Sequence, residues 1–348
     1  MSGGLERRYR RVLRLLPAWY RQQWEEDMVA AFLDSWLSGD PEADEYVAEV
    51  ARPSPAEIAS VISLAARLYL GAAGTPRRYF AWGQAIRRAV LVVTLVQATR
   101  GLDILALTAW SRHLLGWLPA PPAGMIAATP GGPLPPMVWY LVAYAWIVSF
   151  VALVLGQYRT AQSIAALAIV PDLVWLLQGE LTGALRAPVG PWAFWVLLNL
   201  APVLAMTAFH RDAPSAASRS WLLALPAAYL LVYVPLLILV STGNSAWLPD
   251  FSGLYCILIA LGCLARAPRA WSRQGAGAGG WSLTLMLLAA DAGAYRIFSI
   301  ADYVHDPHLI KVSLAELLIL GVAVSLVAPD AARAQAATPS PHPYPYPG

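Results

Sequence analysis

The sequence predicts an all-α protein: a polytopic membrane helix bundle of about eight spans, preceded by a small N-terminal three-helix domain. Three observations carry this. From about Ala89 onward, apolar stretches of roughly 20 residues alternate with short polar connectors, the length a helix needs to cross a bilayer. The 348 residues are 58% hydrophobic and only 13% charged, against roughly a quarter charged in soluble domains. The mean hydropathy is +0.53. Most of the length is therefore membrane span, which leaves one small soluble domain over residues 1–80, a transmembrane bundle over 81–328 and a tail over 329–348.

The first elements are amphipathic. Residues 5 to 37 split at Pro17 into two helices. In the first, Leu5, Tyr9, Val12, Leu13 and Leu16 form an apolar stripe, while Arg7, Arg10, Arg11 and Arg14 occupy the rest. In the second, Tyr20, Trp24, Met28, Phe32 and Trp36 recur at helical spacing, with Glu25, Glu26, Asp27 and Asp34 alongside. Ser54-Pro55-Ala56-Glu57 places a capping Ser, a Pro at the first helical position and a Glu three residues after the cap. It starts a third helix running to about Leu70. Three such helices can bury a common core, and the Arg-rich first one also suits anionic headgroups. Gly71 to Arg78 reads as the linker into the membrane region.

The spans predicted are 89–110, 137–156, 161–178, 191–209, 221–240, 251–265, 281–300 and 309–328. Arg77, Arg78, Arg87 and Arg88 precede the first, and arginine recurs in alternate connectors, so both termini are expected in the cytoplasm of a plasma-membrane protein. Trp110 is expected at an outer end and Trp281 at an inner end, within aromatic belts. Pro171, Pro202 and Pro226 should kink the spans that hold them. The connector from Ser111 to Pro136 reads as an extended external loop, and the Pro-rich tail as disordered. Cys256 and Cys263 share a helix face about 10 Å apart along the axis, too far to form a disulfide.

Ionisable groups within spans are costly and count as functional candidates. At about 1.5 Å per residue, Arg100, Asp172 and Asp291 lie near the midplane, and Asp103, Arg296 and Glu316 share a level nearer the outside. Arg296 should pair with Glu316, and Arg100 is level with Asp291. That leaves Asp103 and Asp172 free to take a proton or cation. The same six residues could equally serve only to orient the helices. Asp302, His305, Asp306 and His308 gather in one external connector. Divalent metals accept such ligands, but no Cys or zincin spacing supports a site and Pro307 opposes a helix joining the two imidazoles, so no metal is expected.

The net charge of +3 gives no field for nucleic acid. No phosphate loop, dinucleotide glycine fingerprint or nucleophile elbow is present, and no cofactor is expected. Gly275 to Gly280 is a Gly/Ala connector.

Leu16-Pro17-Ala18-Trp19-Tyr20, the acidic Glu25-Glu26-Asp27-Met28 and the segment from Arg52 to Gly71 carry a resemblance. Over roughly its first 80 residues the chain is similar to the HAAS or permease-prefix domains that precede many actinobacterial membrane proteins. The resemblance implies a cytoplasmic helical module, often found beside PadR-type repressors, that senses or signals for its membrane partner. It brings no catalytic residue. The expectation is a non-enzymatic sensory, signalling or assembly component in the lipid bilayer, with a protein partner at the N-terminal domain. The alternatives are a secondary transporter or permease subunit coupled to protons or cations through the carboxylates, and an intramembrane enzyme built on the external His/Asp cluster.

Overall fold

The structure, a computed structural model, describes residues 4–36, 50–71, 75–116, 120, 136–182, 189–209, 220–235, 238, 251–271, 279–300 and 306–336. Among them every regular element is helical and there is no strand. The chain divides into two compact units, one built on Met1–Gly83 and the other on Gln84–Phe209 with Pro214–Ala337.

In the first unit, α1 (Gly4–Leu13), α2 (Ala18–Trp36) and α3 (Pro55–Tyr69) enclose a core of their own. Leu5, Tyr9 and Leu13 come from α1, Val29 and Phe32 from α2, and Val61, Ala65 and Leu68 from α3. Tyr9 stacks on Phe32 with ring centroids 3.9 Å apart. The break between α1 and α2 falls at Pro17, which lacks the N–H a continuing helix would need. The capping box forms as the sequence requires: the Glu57 N–H donates to Ser54 Oγ at 3.2 Å, and the Ser54 N–H donates to Glu57 Oε2 at 2.5 Å. Trp36 Nε1 donates to the other Glu57 oxygen at 3.0 Å, tying the end of α2 to the start of α3. Partial burial pushes the Glu57 carboxyl upward, but the bonds from Trp36 and Ser54 outweigh it and hold the group below its ordinary value. Arg10 spans Glu26 with two bonds of 2.7 Å and also takes Glu6 at 2.8 Å. The Arg10 hydrogen bond holds the Glu26 carboxyl low in turn.

The second unit contains α4 (Arg77–Ser111, from Gln84 on), α5 (Pro136–Val154), α6 (Tyr158–Thr182), α7 (Val189–Ala205), α8 (Trp221–Ala228), α9 (Phe251–Trp271), α10 (Gly279–Ile300) and α11 (Pro307–Ala336). Nearly all the described residues of the apolar stretches are helical. Four helical segments, Arg77–Ser111, Tyr158–Gln178, Gly280–Ile300 and Pro307–Ala336, are long and apolar enough to cross a membrane. The segments Tyr140–Val154, Val196–Ala208, Trp221–Tyr233 and Ser252–Pro268 are apolar but shorter.

α4 is a shared wall. Val90, Leu91 and Ala98 join a core with Phe150, Leu153, Ala165 and Val203 from α5, α6 and α7. Ala89 and Val93 join a second core with Ile259, Cys263, Ala292, Leu320 and Val327 from α9, α10 and α11. Near its far end, Gly101 lets the α4 backbone approach α5 so closely that a Cβ there would lie 2.7 Å from the Ala143 carbonyl oxygen. α5 and α6 form a tight hairpin turned at Gly156, whose φ of +82° suits glycine. The Gln157 N–H closes that turn on the Ala152 carbonyl at 2.8 Å.

Several expectations are corrected. α4 starts at Arg77, well before residue 89, so the linker is shorter than Gly71 to Arg78. α11 continues through Pro329 to Ala336 with Asp330 and Ala331 buried, so part of the segment assigned to the tail belongs to the bundle. Proline costs one N–H and does not end a helix packed on its neighbours; Arg333 Nε donates back to the Pro329 carbonyl at 3.2 Å. Residues 337–348 and most of the connector from Ser111 to Pro136 lie outside the described residues. Trp110 is 1% exposed, a core residue of α4 and not part of a belt. Beyond Pro226 the helix opens into a π-helical turn over Tyr229–Tyr233. Both cysteines are free and buried.

Candidate functional site

The polar groups of the second unit lie in separate clusters. Arg296 on α10 forms an ion pair with Glu316 on α11, as the depth count from sequence predicts. Both side chains are buried. Arg296 Nη1 donates to Ser252 Oγ on α9 at 3.2 Å and to Ser299 Oγ at 3.4 Å, and the Ser252 hydroxyl donates to Ser299 Oγ at 3.0 Å. One guanidinium thus fastens three helices.

Deeper in the unit, three neutral side chains close a triangle that sequence reasoning missed. Gln97 Nε2 on α4 donates to Asn199 Oδ1 on α7 at 3.0 Å and to the Tyr295 hydroxyl on α10 at 3.2 Å; that hydroxyl donates to Asn199 Oδ1 at 3.1 Å. All three residues are buried. The Gln97 amide nitrogen, the Asn199 amide oxygen and the Tyr295 hydroxyl thus answer one another, as burial demands.

Tyr295 also joins the charged residues. Its hydroxyl lies in the field of Asp291, Arg100 and Asp172, and its ring meets that of Tyr255 edge-on at 6.4 Å. The Tyr255 hydroxyl donates to Asp291 Oδ2 at 2.9 Å. The charge of Arg100 acts on Asp103, next to it on α4, and on Asp172 of α6. Asp291 thus accepts from a phenol on α9, a partner the depth count did not name. Tyr229 and Tyr233, stacked at 5.9 Å, feel Asp103 from the π-helical turn. Two carboxylates thus share the field of Arg100, and a third accepts a hydrogen bond from a phenol.

A further cluster surrounds Asp330 at the far end of α11, in the stretch read from sequence as tail. Ser282 Oγ on α10 donates to Asp330 Oδ2 at 2.5 Å, and Arg266 Nη2 on α9 lies 3.5 Å from the same oxygen. Arg87 Nη1, fully buried on α4, donates to the Ala208 carbonyl at 3.2 Å. Arg88 stacks over the Trp281 ring at 4.9 Å. The signal for Asp330 is a carboxylate two residues beyond an apolar run, masked by the proline before it.

Asp306 serves as the N-terminal cap of α11, accepting from the His308 N–H at 2.9 Å and the Leu309 N–H at 3.2 Å. Asp302 and His305 lie outside the described residues. Among the described residues no three His, Cys, Asp or Glu side chains converge as metal ligands. No protein-family model, curated protein or solved structure matches the chain.

Proposed function

We propose that this chain is a non-enzymatic, multi-pass plasma-membrane protein in which the N-terminal helical unit is a cytoplasmic signalling or assembly module for a bundle of about eight spans. The observation that carries the reading is the separate core of the first unit, closed by Tyr9, Phe32 and Leu68, on a chain with four helices able to cross a membrane. The similarity of Leu16 to Tyr20 and Glu25 to Met28 to permease-prefix domains supports the same role. The polar ties of the bundle each join helices, the task such groups perform in membrane proteins that move nothing.

A second reading is favoured by one observation: Asp103 and Asp172 both lie in the field of Arg100. Two carboxylates against one guanidinium leave room for a proton or monovalent cation, as a coupled transporter requires. Flux in proteoliposomes separates the two. Under the first reading, vesicles carrying the purified protein pass no protons or cations above empty ones, and Asp172→Asn leaves the fold and behaviour unchanged. A gradient-driven flux abolished by Asp172→Asn would establish the second.

Orientation follows from the arginine asymmetry. Cysteine placed at Gly132 or Asn244 should react with an impermeant thiol reagent in intact cells, and cysteine at Ser215 or Ala276 should not. The reverse pattern would put the first unit outside.

A further inference from the structure

The first unit is strongly two-faced along α1. Leu5, Tyr9 and Leu13 are buried on one side. Arg7 and Arg11, one helical turn apart and about 40° from each other at 100° per residue, are exposed on the opposite side, and Arg14, in the turn that follows, is exposed as well. Among the described residues none of these three makes a hydrogen bond, ion pair or ring contact. Arg10, one position away, is engaged by Glu6, Glu25 and Glu26. Glu26 is thus engaged by Arg10 and Glu25 by Arg10 and Arg21, and the three guanidiniums of Arg7, Arg11 and Arg14 are exposed. Leu15, in the same turn as Arg14, is 48% exposed.

We infer that this stripe is a docking surface for the phosphate headgroups of an anionic bilayer. The inference rests on the membrane reading above. Charge complementarity names the occupant. Guanidinium is weakly hydrated and donates in pairs to phosphate oxygens, and the cytoplasmic leaflet is the anionic surface nearest any such module. Covalent tethering makes that surface a closer partner than a free polyanion: α3 ends at Tyr69 and α4, a helix able to cross a membrane, begins at Arg77. Leu15 would enter the headgroup boundary beside the arginines, the pairing of apolar and basic groups that interfacial helices use. Docking would set the attitude of the signalling module by lipid composition, at no cost to its core, because none of the four residues belongs to it.

The test uses the full chain in nanodiscs, with a nitroxide attached at Leu15→Cys; the two native cysteines are buried. Collision with a water-soluble nickel reagent is measured in discs of phosphatidylcholine alone and in discs with roughly a third phosphatidylglycerol. Collision should fall several-fold in the anionic discs and recover at high salt, where exposed charges are screened. R7Q/R11Q/R14Q should abolish the difference, since each arginine removed weakens surface partitioning about five-fold, roughly a hundred-fold for three. R7K/R11K/R14K should keep most of it, which separates lost charge from a damaged fold. Equal collision in both lipids overturns the proposal, whether the stripe then stands in water or is covered by the acidic side chains of residues 40–45. Protection gained only on adding an acidic protein or an oligonucleotide overturns it too. A chain that does not co-elute with the discs fails the membrane reading itself. The discs carry the same lipid on both faces, so an error in orientation leaves the docking result intact and appears only in the thiol labelling.

Discussion

Arg296 and Glu316 form a buried ion pair across the interface of α10 and α11, and Ser252 extends it to α9. Glu316→Gln leaves the guanidinium with a neutral acceptor, and Glu316→Leu with no acceptor from that residue. Losing one partner of a buried pair costs about 3–5 kcal/mol. Thermal unfolding in detergent should show Glu316→Leu far below the wild type, with R296M/E316L recovering much of the loss. Similar stabilities for Glu316→Leu and the double variant would mean that the charges are not coupled.

The close approach at Gly101 should admit no side chain. A methyl group there meets the Ala143 carbonyl oxygen at 2.7 Å, so Gly101→Ala forces α4 and α5 apart at about 1–3 kcal/mol. Gly321→Ala is the control: nothing lies within 4 Å of a Cβ at that position, and alanine favours the helix. The first variant should lose stability in thermal denaturation and the second should not.

In the neutral triangle, Tyr295→Phe removes the donor to Asn199 and the acceptor for Gln97. The expected loss is about 1–3 kcal/mol, because two buried groups each lose a partner. A double-mutant cycle with Gln97→Leu should return a coupling of at least about 0.5 kcal/mol; additive losses would count against a shared network.

Acid should loosen the start of α3. The Glu57 carboxyl is held below its ordinary value of 4.5 by Trp36 and Ser54. A depressed carboxyl contributes stability above its unfolded value and loses it as the pH falls through the folded one. Amide exchange over residues 54–60 in the full chain should therefore accelerate as the pH drops below 4.5, beyond the intrinsic pH effect. Glu57→Gln should remove most of this excess and cost about 1 kcal/mol at neutral pH, the usual worth of a cap.

What could be read from residues alone followed from local rules. The break at Pro17, the capping box at Ser54 and the positions of the apolar helices each depend on a few neighbouring side chains. The Arg296–Glu316 pair was legible because two adjacent antiparallel helices fix relative depth. Asp291 was not, because its partner Tyr255 is a neutral aromatic residue in an apolar run. Gln97, Asn199 and Tyr295 carry no charge to mark them out, and no depth count chooses between their possible neighbours on non-adjacent helices. Asp330 was hidden by Pro329, which ends helices in water but here sits in one braced by α9 and α10.

The position of α4 between two cores also has a consequence in time. Chains grow from the N-terminus at about 5–20 residues per second, and Gln97 precedes Tyr295 by 198 residues. Until α9 is made, the newborn helix has α5, α6 and α7 to meet, and for roughly 10 to 40 seconds Gln97 waits for Tyr295. During that interval Asn199, 102 residues downstream, is the first of its two partners to arrive and can occupy the Gln97 amide while Tyr295 is awaited. Loss of the side-chain amide pair is therefore expected to show as a chain degraded during synthesis before it shows as a chain that melts early.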